Sequence, residues 1–433
     1  MNTVTATEAT FTLTEATPNT MLLNNSAYSL PSASAAIPFG GVTSLIRMVR
    51  LVSRGAIIEE IDNYAMLSTI LKEVTTDVDE LQTRGFVSGD YPHGVDYQTK
   101  FANRVQMFSS RGSASGSNSI RRFAFKLDQL GFFRSQHYLP LEWLPVTIEL
   151  IFHQPAQCMM NAWTVVSAPA RGSYTPSFTI TEPTFHAQLL QFNSEYTSAV
   201  NNKIATDGAV LPIRTWTNTQ RFSYGGSSEK FILSNKMKSL TRILCVPRQA
   251  RVANTYGLGV NQYPSHIIAT SANGGRAYVT AERELQNYRW LIGSTPVTDH
   301  VIDCTKGGAS QAQEMIKFFA GLTGTVNFPR PRIPVVADST TATAGGNLVP
   351  SITHTHFYDN FRTEMGLICQ NLSLENIDSD DVFTGQFANT FSDLTLETSW
   401  NGGFESGEHL ELQFFFEYNA LLTITPTALL IEK

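Results

Sequence analysis

His354 and His356, in THTHF, fall on one face of an extended chain, and two imidazoles at that spacing can hold a transition metal. No third ligand accompanies them, so they are read as loop histidines. Asp378, Asp380 and Asp381, in NIDSDD, supply the hard oxygens that Ca²⁺ takes. Their spacing is not that of an EF-hand, and a solvated acidic loop is the expected role. Glu142 and Glu149 would be a glycosidase pair only across a defined gap. They are read as rim or strand-edge carboxylates. Phe414, Phe415 and Phe416 with Tyr418 could stack on bases or sugars, but in an alternating terminal strand they are expected to pack a core. Asn24 and Asn371 stand in N-x-S sequences, read as unmodified in the absence of a secretory signal. The chain has no nucleophile elbow, HExxH, P-loop or GxGxxG. The expectation is a chain with no catalytic, cofactor-binding or metal-binding residues, needing no cofactor: not an enzyme.

Composition points the same way. The chain has 433 residues, enough to bury roughly 75% of its extended surface without staples. Its four cysteines (Cys158, Cys245, Cys304, Cys369) are scattered, which excludes a CxxC zinc site and a disulfide scaffold. Charged residues are 16%, against about 25% in an ordinary domain, and Thr, Ser, Asn, Gln and Gly fill the gap. Charge is depleted at the centre of protein interfaces, and strands also disfavour Lys and Glu. The net charge is −6 and the first 46 residues hold no Lys or Arg, so the N-terminus is not a cationic arm for nucleic acid. No apolar run of about 18 residues suggests a membrane helix, and the first residues lack the basic and apolar regions of a signal peptide.

The elements that would carry these side chains read as short strands with Gly, Pro and Asn turns, and no long helix. One pattern occurs twice. Gly41–Leu71 and Tyr288–Phe319 each run strand, glycine turn, extended piece, short amphipathic helix. Their turn glycines, Gly55 and Gly293, lie 238 positions apart and are predicted to be equivalent. The order suggests one β domain built twice. Residues 1–36 read as an extended arm that could clamp a neighbour. Strands are predicted at 120–127, 146–152, 177–192 and 194–200, and a linker at 201–212. Residues 248–280 and 321–352 read as excursions. The chain closes on strands at 365–375, 393–399, 410–422 and 428–431.

The segments SLIRMVRLVSRGAIIEEIDNYAML, FAFKLDQLGFFRSQHYLPLEWLPVTIELIF, YRWLIGSTPVTDHVIDCTKGGASQAQEMIKFF, LENIDSDDVFTGQFANTFSDLTLE and LELQFFFEYNALLTI resemble, in that order, the double jelly-roll major capsid proteins of double-stranded DNA viruses. The branch is that of virophages, Polinton-like viruses and nucleocytoplasmic large DNA viruses. The resemblance spans residues 41–433, with Thr384–Gly385 in the family's Ser-Gly-type loop. It implies an all-β fold of two consecutive jelly-roll β-sandwiches with short helices in the loops. The division expected is an arm at 1–36, a first jelly roll at 37–203 and a second at 204–433. It also implies a homotrimeric, pseudo-hexagonal capsomer that tiles an icosahedral virion shell, with the excursions facing outward. The implied partners are other copies of the chain, neighbouring capsomers, and penton and minor capsid or cement proteins, without sequence-specific nucleic-acid binding. Its location would be the virion, after folding in the host cytoplasm. Three other readings stand beside it: a carbohydrate-binding β-sandwich of a spike or lectin, a β-sandwich glycosidase, and a single jelly-roll capsid protein of an RNA virus.

Overall fold

A computed structural model describes residues 8–14, 21–23, 28–30, 35–36, 41–75, 87–88, 119–134, 140–153, 160–161, 177–181, 183–186, 190–224, 226–234, 237–249, 284–298, 300–304, 310–323, 367–373, 386–388, 393–401 and 410–432. The first half carries strands β1 (Glu8–Thr14), β2 (Met21–Leu23), β3 (Tyr28–Leu30), β4 (Ala35–Ala36), β5 (Ile46–Ser53) and β6 (Ala56–Asp62), then helix α1 (Tyr64–Thr75). It continues with β7 (Ser119–Ala124), the single turn α2 (Gly131–Arg134), β8 (Thr147–Phe152), β9 (Met160–Asn161) and β10 (Ser177–Thr181). Helix α3 (Ser194–Asp207) leads into the second half.

The second half begins with β11 (Ala209–Ser223), β12 (Ser228–Leu233), β13 (Met237–Gln249), β14 (Glu284–Ile292), β15 (Thr295–Pro296) and β16 (Ile302–Asp303). Helix α4 (Ser310–Thr323) follows, then β17 (Ile368–Asn371), β18 (Gln386–Ala388), β19 (Leu394–Asn401), β20 (Leu410–Ile424) and β21 (Leu429–Glu432). Among the described residues no helix is long and apolar enough to cross a membrane.

The strand order of the second half is diagnostic. One sheet runs β11-β20-β13-β17, with β18 on β13 and β21 on β20; the other runs β12-β19-β14-β15, with β16 on β14. Take the eight successive strands as β11, β12, β13, β14, β15 with β16, β17, β19 and β20. The sheets then read 1-8-3-6 and 2-7-4-5. Strands 4–5, 3–6, 2–7 and 1–8 are all antiparallel partners, as in one long hairpin. Folding that hairpin over assigns its pairs alternately to two sheets, which is the jelly roll. Part of the pattern recurs in the first half, where the sheet β6-β5-β8 reads 5-4-7. There a second sheet runs β10-β1-β7. Its β1–β10 pair matches 1–8, whereas β7 on the far side of β1 has no counterpart in the second half.

The repeated glycine turns occupy the same place, between strands 4 and 5. β5 and β6 join through Arg54 and Gly55, both at positive φ (49° and 78°). That is the type I′ geometry whose twist matches paired strands. β14 and β15 join through Gly293 and Ser294, with Gly293 at φ 62°. The glycine is thus second in one two-residue loop and first in the other. A helix follows each hairpin, α1 and α4, as the repeat predicts.

Sheet β11-β20-β13-β17 is buried on both faces. Phe414, Phe416 and Tyr418 of β20 pack toward the other sheet, where Trp290 meets Phe414 edge-on at 6.1 Å. Phe415 points the other way, into a second core with Trp216, Leu244 and residues of α1 and α4. These phenylalanines are therefore core, as the alternation predicts, but on two faces rather than one.

Four expectations change. The strand predicted at 177–192 is β10 over Ser177–Thr181 alone, with 183–186 and 190–192 outside any strand. Residues 194–200 form helix, not strand: Asn193 caps it through its side chain (Tyr196 N–H to Asn193 Oδ1, 2.9 Å), and Gly208 at φ 76° ends it. Thr197 and Val200 gave the segment a β composition, but the caps decide its local structure. The linker predicted at 201–212 is this helix running into β11. Residues 8–14, within the expected arm, form β1, and ATFTLT carries the Thr-rich alternation of a strand.

Candidate functional site

The residues singled out for chemistry do not converge. Glu142 Oε2 accepts from Asn201 Nδ2 at 3.1 Å, tying the turn before β8 to helix α3, and Trp143 Nε1 donates to the same Asn201 at 2.8 Å. Glu149 lies on β8 and accepts from Arg50 Nη1 at 3.3 Å. Each carboxylate is engaged in a different place. Asn371 lies in β17, donating to Lys317 O at 3.3 Å. Cys245, Cys304 and Cys369 are buried; burial raises Cys245 and Cys369 well above the ordinary range. Among the described residues no three His, Cys, Asp or Glu cluster as a metal site. His354, His356, Asp378, Asp380, Asp381, Thr384, Gly385, Asn24 and Cys158 lie outside the described residues, as do most of the two excursions.

What the fold does bring together is a seam joining the halves. Glu59 of β6 is buried, and its Oε1 and Oε2 accept the backbone N–H groups of Gly131 (2.9 Å) and Phe132 (3.0 Å). Those are the first amides of α2, which lies against β11. Burial pushes the Glu59 carboxyl up to about 7, while the Thr215 hydroxyl, the two amides and Arg134 pull the other way. Gly131 is needed for the approach, because a Cβ there would stand 1.9 Å from Arg214 O.

Beside it, Glu417 of β20 is fully buried and ion-paired with the equally buried Arg242 of β13. Arg134 of α2 reaches Glu417 Oε1 at 3.6 Å, and Thr241 Oγ1 donates to Oε2 at 3.1 Å. Burial alone would raise this carboxyl; Arg242, Arg134 and Arg214 together hold it below its ordinary value. Arg214 Nε donates to Asn419 Oδ1 at 3.0 Å, and Asn419 donates on to Ser239 at 3.0 Å. Sequence reasoning missed this network. Its signal was charge inside apolar runs, Glu59 in AIIEEID and Glu417 in LELQFFFEYNALLTI. Buried charges are rare unless paired.

The solvent-facing side of each half carries a row of charge across its strands. On β6-β5-β8, Arg50 lies between Glu60 and Glu149, with Arg50 Nε donating to Glu60 Oε2 at 2.6 Å. On β12-β19-β14, Glu397 lies between Lys230 (3.3 Å) and Arg289 (2.7 Å). The Arg289 and Lys230 hydrogen bonds hold the Glu397 carboxyl below its ordinary value. Arg50 and Arg289 hold equivalent positions, each four residues before its hairpin loop and each bonded to the glutamate of strand 7. The duplication therefore extends to an ion pair.

No protein-family profile and no curated protein matches the sequence. Solved structures do match in fold. The PBCV-1 virus capsid aligns over 100% of this chain and 90% of the other, with 10% identity and a TM-score of 0.52. The Faustovirus major capsid protein aligns over 98% of this chain and 86% of the other, with 10% identity and a TM-score of 0.54. The Sputnik virophage structure aligns over 99% of this chain and 82% of the other, with 10% identity and a TM-score of 0.53. At such identity the likeness is one of fold: the chain is a double jelly roll, all-β with short helices.

Proposed function

We propose that this chain is a viral major capsid protein that acts by self-assembly, three copies forming a pseudo-hexagonal capsomer of an icosahedral virion shell. The observation that carries the reading is the duplicated sandwich. The 1-8-3-6 and 2-7-4-5 sheets of the second half are echoed by β6-β5-β8 in the first, hairpin loop and following helix included. Two similar lobes per chain give a trimer six sides, which is what hexagonal tiling requires. Near-complete alignment with capsid proteins of the same fold supports it.

The physical chemistry of the chain suits that task. The seam of Glu59, Gly131, Arg134 and Glu417 fixes one half on the other, so a lattice built from the chain inherits a fixed angle between lobes. A surface poor in charge can be covered by neighbours at little desolvation cost. We place the working parts as a first jelly roll at 37–203 and a second at 204–433. Strand β1 draws part of residues 1–36 into the first half rather than leaving it an arm. Partners in the shell would be neighbouring capsomers and penton and minor capsid proteins, and the site of action the virion. The chain performs no catalysis in this reading.

Sedimentation velocity and negative-stain imaging of the purified chain test it. A trimeric species with a hexagonal outline is expected. A monomer at all concentrations, especially one that binds a glycan array, would overturn the reading in favour of a carbohydrate-binding sandwich.

A further inference from the structure

The two outward sheet faces share a layout but differ in sign. Across β6-β5-β8 the row reads Glu60, Arg50, Glu149: minus, plus, minus. Across β12-β19-β14 it reads Lys230, Glu397, Arg289: plus, minus, plus. All six side chains are partly exposed. On the hairpin-loop side of each charged row lies an uncharged one that carries an exposed isoleucine. In the first half it is Ile57, Val52 and Thr147, with Ile57 45% exposed. In the second it is Ile232, Thr395, Leu291 and Pro296, with Ile232 51% exposed and Pro296 exposed beside it, while Thr395 and Leu291 are buried.

We propose that these faces dock on each other between copies, the β6-β5-β8 face of one chain against the β12-β19-β14 face of a second copy. This rests on the shell reading and names which sides of the subunits meet. Because each row reads the same in either lateral direction, face-to-face contact sets every charge opposite its complement. With both halves standing the same way up, the two uncharged rows lie at the same height above the charges, and Ile57 and Ile232 are their exposed large apolar side chains. Neither face in register fits a copy of itself, since like charges would then oppose. The contact is therefore heterologous, the kind that closes rings or extends lattices, and not a two-fold dimer. Exposed isoleucines supply contact area, while the charged rows supply register and partner choice.

The test reverses whole rows, so that each chain keeps its internal ion pairs. One variant carries Glu60→Lys, Arg50→Glu and Glu149→Lys. Another carries Lys230→Glu, Glu397→Lys and Arg289→Glu. A third carries all six changes. Association is followed by sedimentation velocity over a concentration series, with circular dichroism melting as a check that each chain folds. Each single-row reversal is expected to weaken association by about tenfold or more, because like charges then meet across the contact. The six-fold variant is expected to recover association to near the parent's. Single-row variants that assemble like the parent would overturn the docking alone, as would a folded six-fold variant that does not recover. A parent that never assembles would overturn the shell reading and this docking with it.

Discussion

Gly131 and Arg214 approach so closely that a single methyl group on Gly131 would stand 1.9 Å from the Arg214 carbonyl oxygen. Backbone on both sides leaves nothing flexible to give way. Gly131→Ala must therefore lift α2 off β11, disturbing the amides that Glu59 accepts and the reach of Arg134 to Glu417. We expect a loss of about 1–3 kcal/mol or more by urea denaturation, the range of overpacking. Gly55→Ala is the comparison. There a Cβ meets nothing within 4 Å, and only the positive φ of 78° is strained, costing about 1–2 kcal/mol. Equal tolerance of both changes would contradict the close contact.

Glu59 gives the seam a pH dependence. Its folded carboxyl titrates at about 7, raised from 4.5 by burial. The folded state thus holds this proton more tightly than the unfolded chain. The stability so contributed is fully present below about pH 4.5 and is lost as pH rises through 7. Glu59→Gln cannot titrate, but it turns an amide NH₂ toward one of two backbone donors. That costs about 1–3 kcal/mol for a donor left unpaired. Melting curves from pH 5 to 8 should show the variant weaker at pH 5, with the gap narrowing by pH 8. A constant gap would remove Glu59 as the source.

Glu417 acts in the opposite direction. Its folded carboxyl is depressed by Arg242, Arg134 and Arg214 despite full burial, so the stability it contributes is present above the unfolded value and lost as pH falls through the folded one. With Glu59, this confines the most stable seam to the acid-to-neutral interval between the two titrations. Arg242→Met leaves a buried carboxylate short of its nearest cation, and a loss of about 3–5 kcal/mol is expected. Adding Glu417→Met to that variant should recover a large share, because an apolar pair replaces a buried ionic one. Strictly additive losses in this double-mutant cycle would show that the two side chains do not interact.

The legible parts of the sequence were those where local chemistry and packing agree. Leu394–Asn401 and Leu410–Ile424 alternate or run apolar and are strands; Tyr64–Thr75 and Ser310–Thr323 have apolar residues at helical spacing and are helices. Gly55 and Gly293 were legible because only glycine is at ease at positive φ. Helix α3 was not, since it buries only Ile204 and so shows almost no apolar period; its caps were the better signal. The seam was unreadable for another reason. Glu59 and Glu417 meet α2 through contacts 72 and 283 positions along the chain from Gly131 and Arg134 respectively, and no local pattern encodes such pairing. The sign inversion between the charged rows was equally hidden, because it exists only once strand register is known.

Strand β1 makes the last prediction, against the idea of a free arm. It pairs with β10 from Thr10↔Thr181 to Thr14↔Ser177 and with β7 from Glu8↔Ala124 to Leu13↔Ser119, so it is the central strand of its sheet. Removing residues 1–14 would leave β7 and β10 each with an unpaired edge, a template for wrong pairing. A dispensable arm would leave the sheet intact on deletion; a central strand would not. Hydrogen exchange should therefore show lost amide protection at Arg121–Phe123 and Phe178–Ile180 in the truncated chain, while the β13 and β20 amides keep theirs. The truncated chain should also aggregate or lose whatever assembly the full chain shows by sedimentation velocity. Unchanged protection at Arg121–Phe123, with assembly like that of the full chain, would return residues 1–14 to the role of an arm.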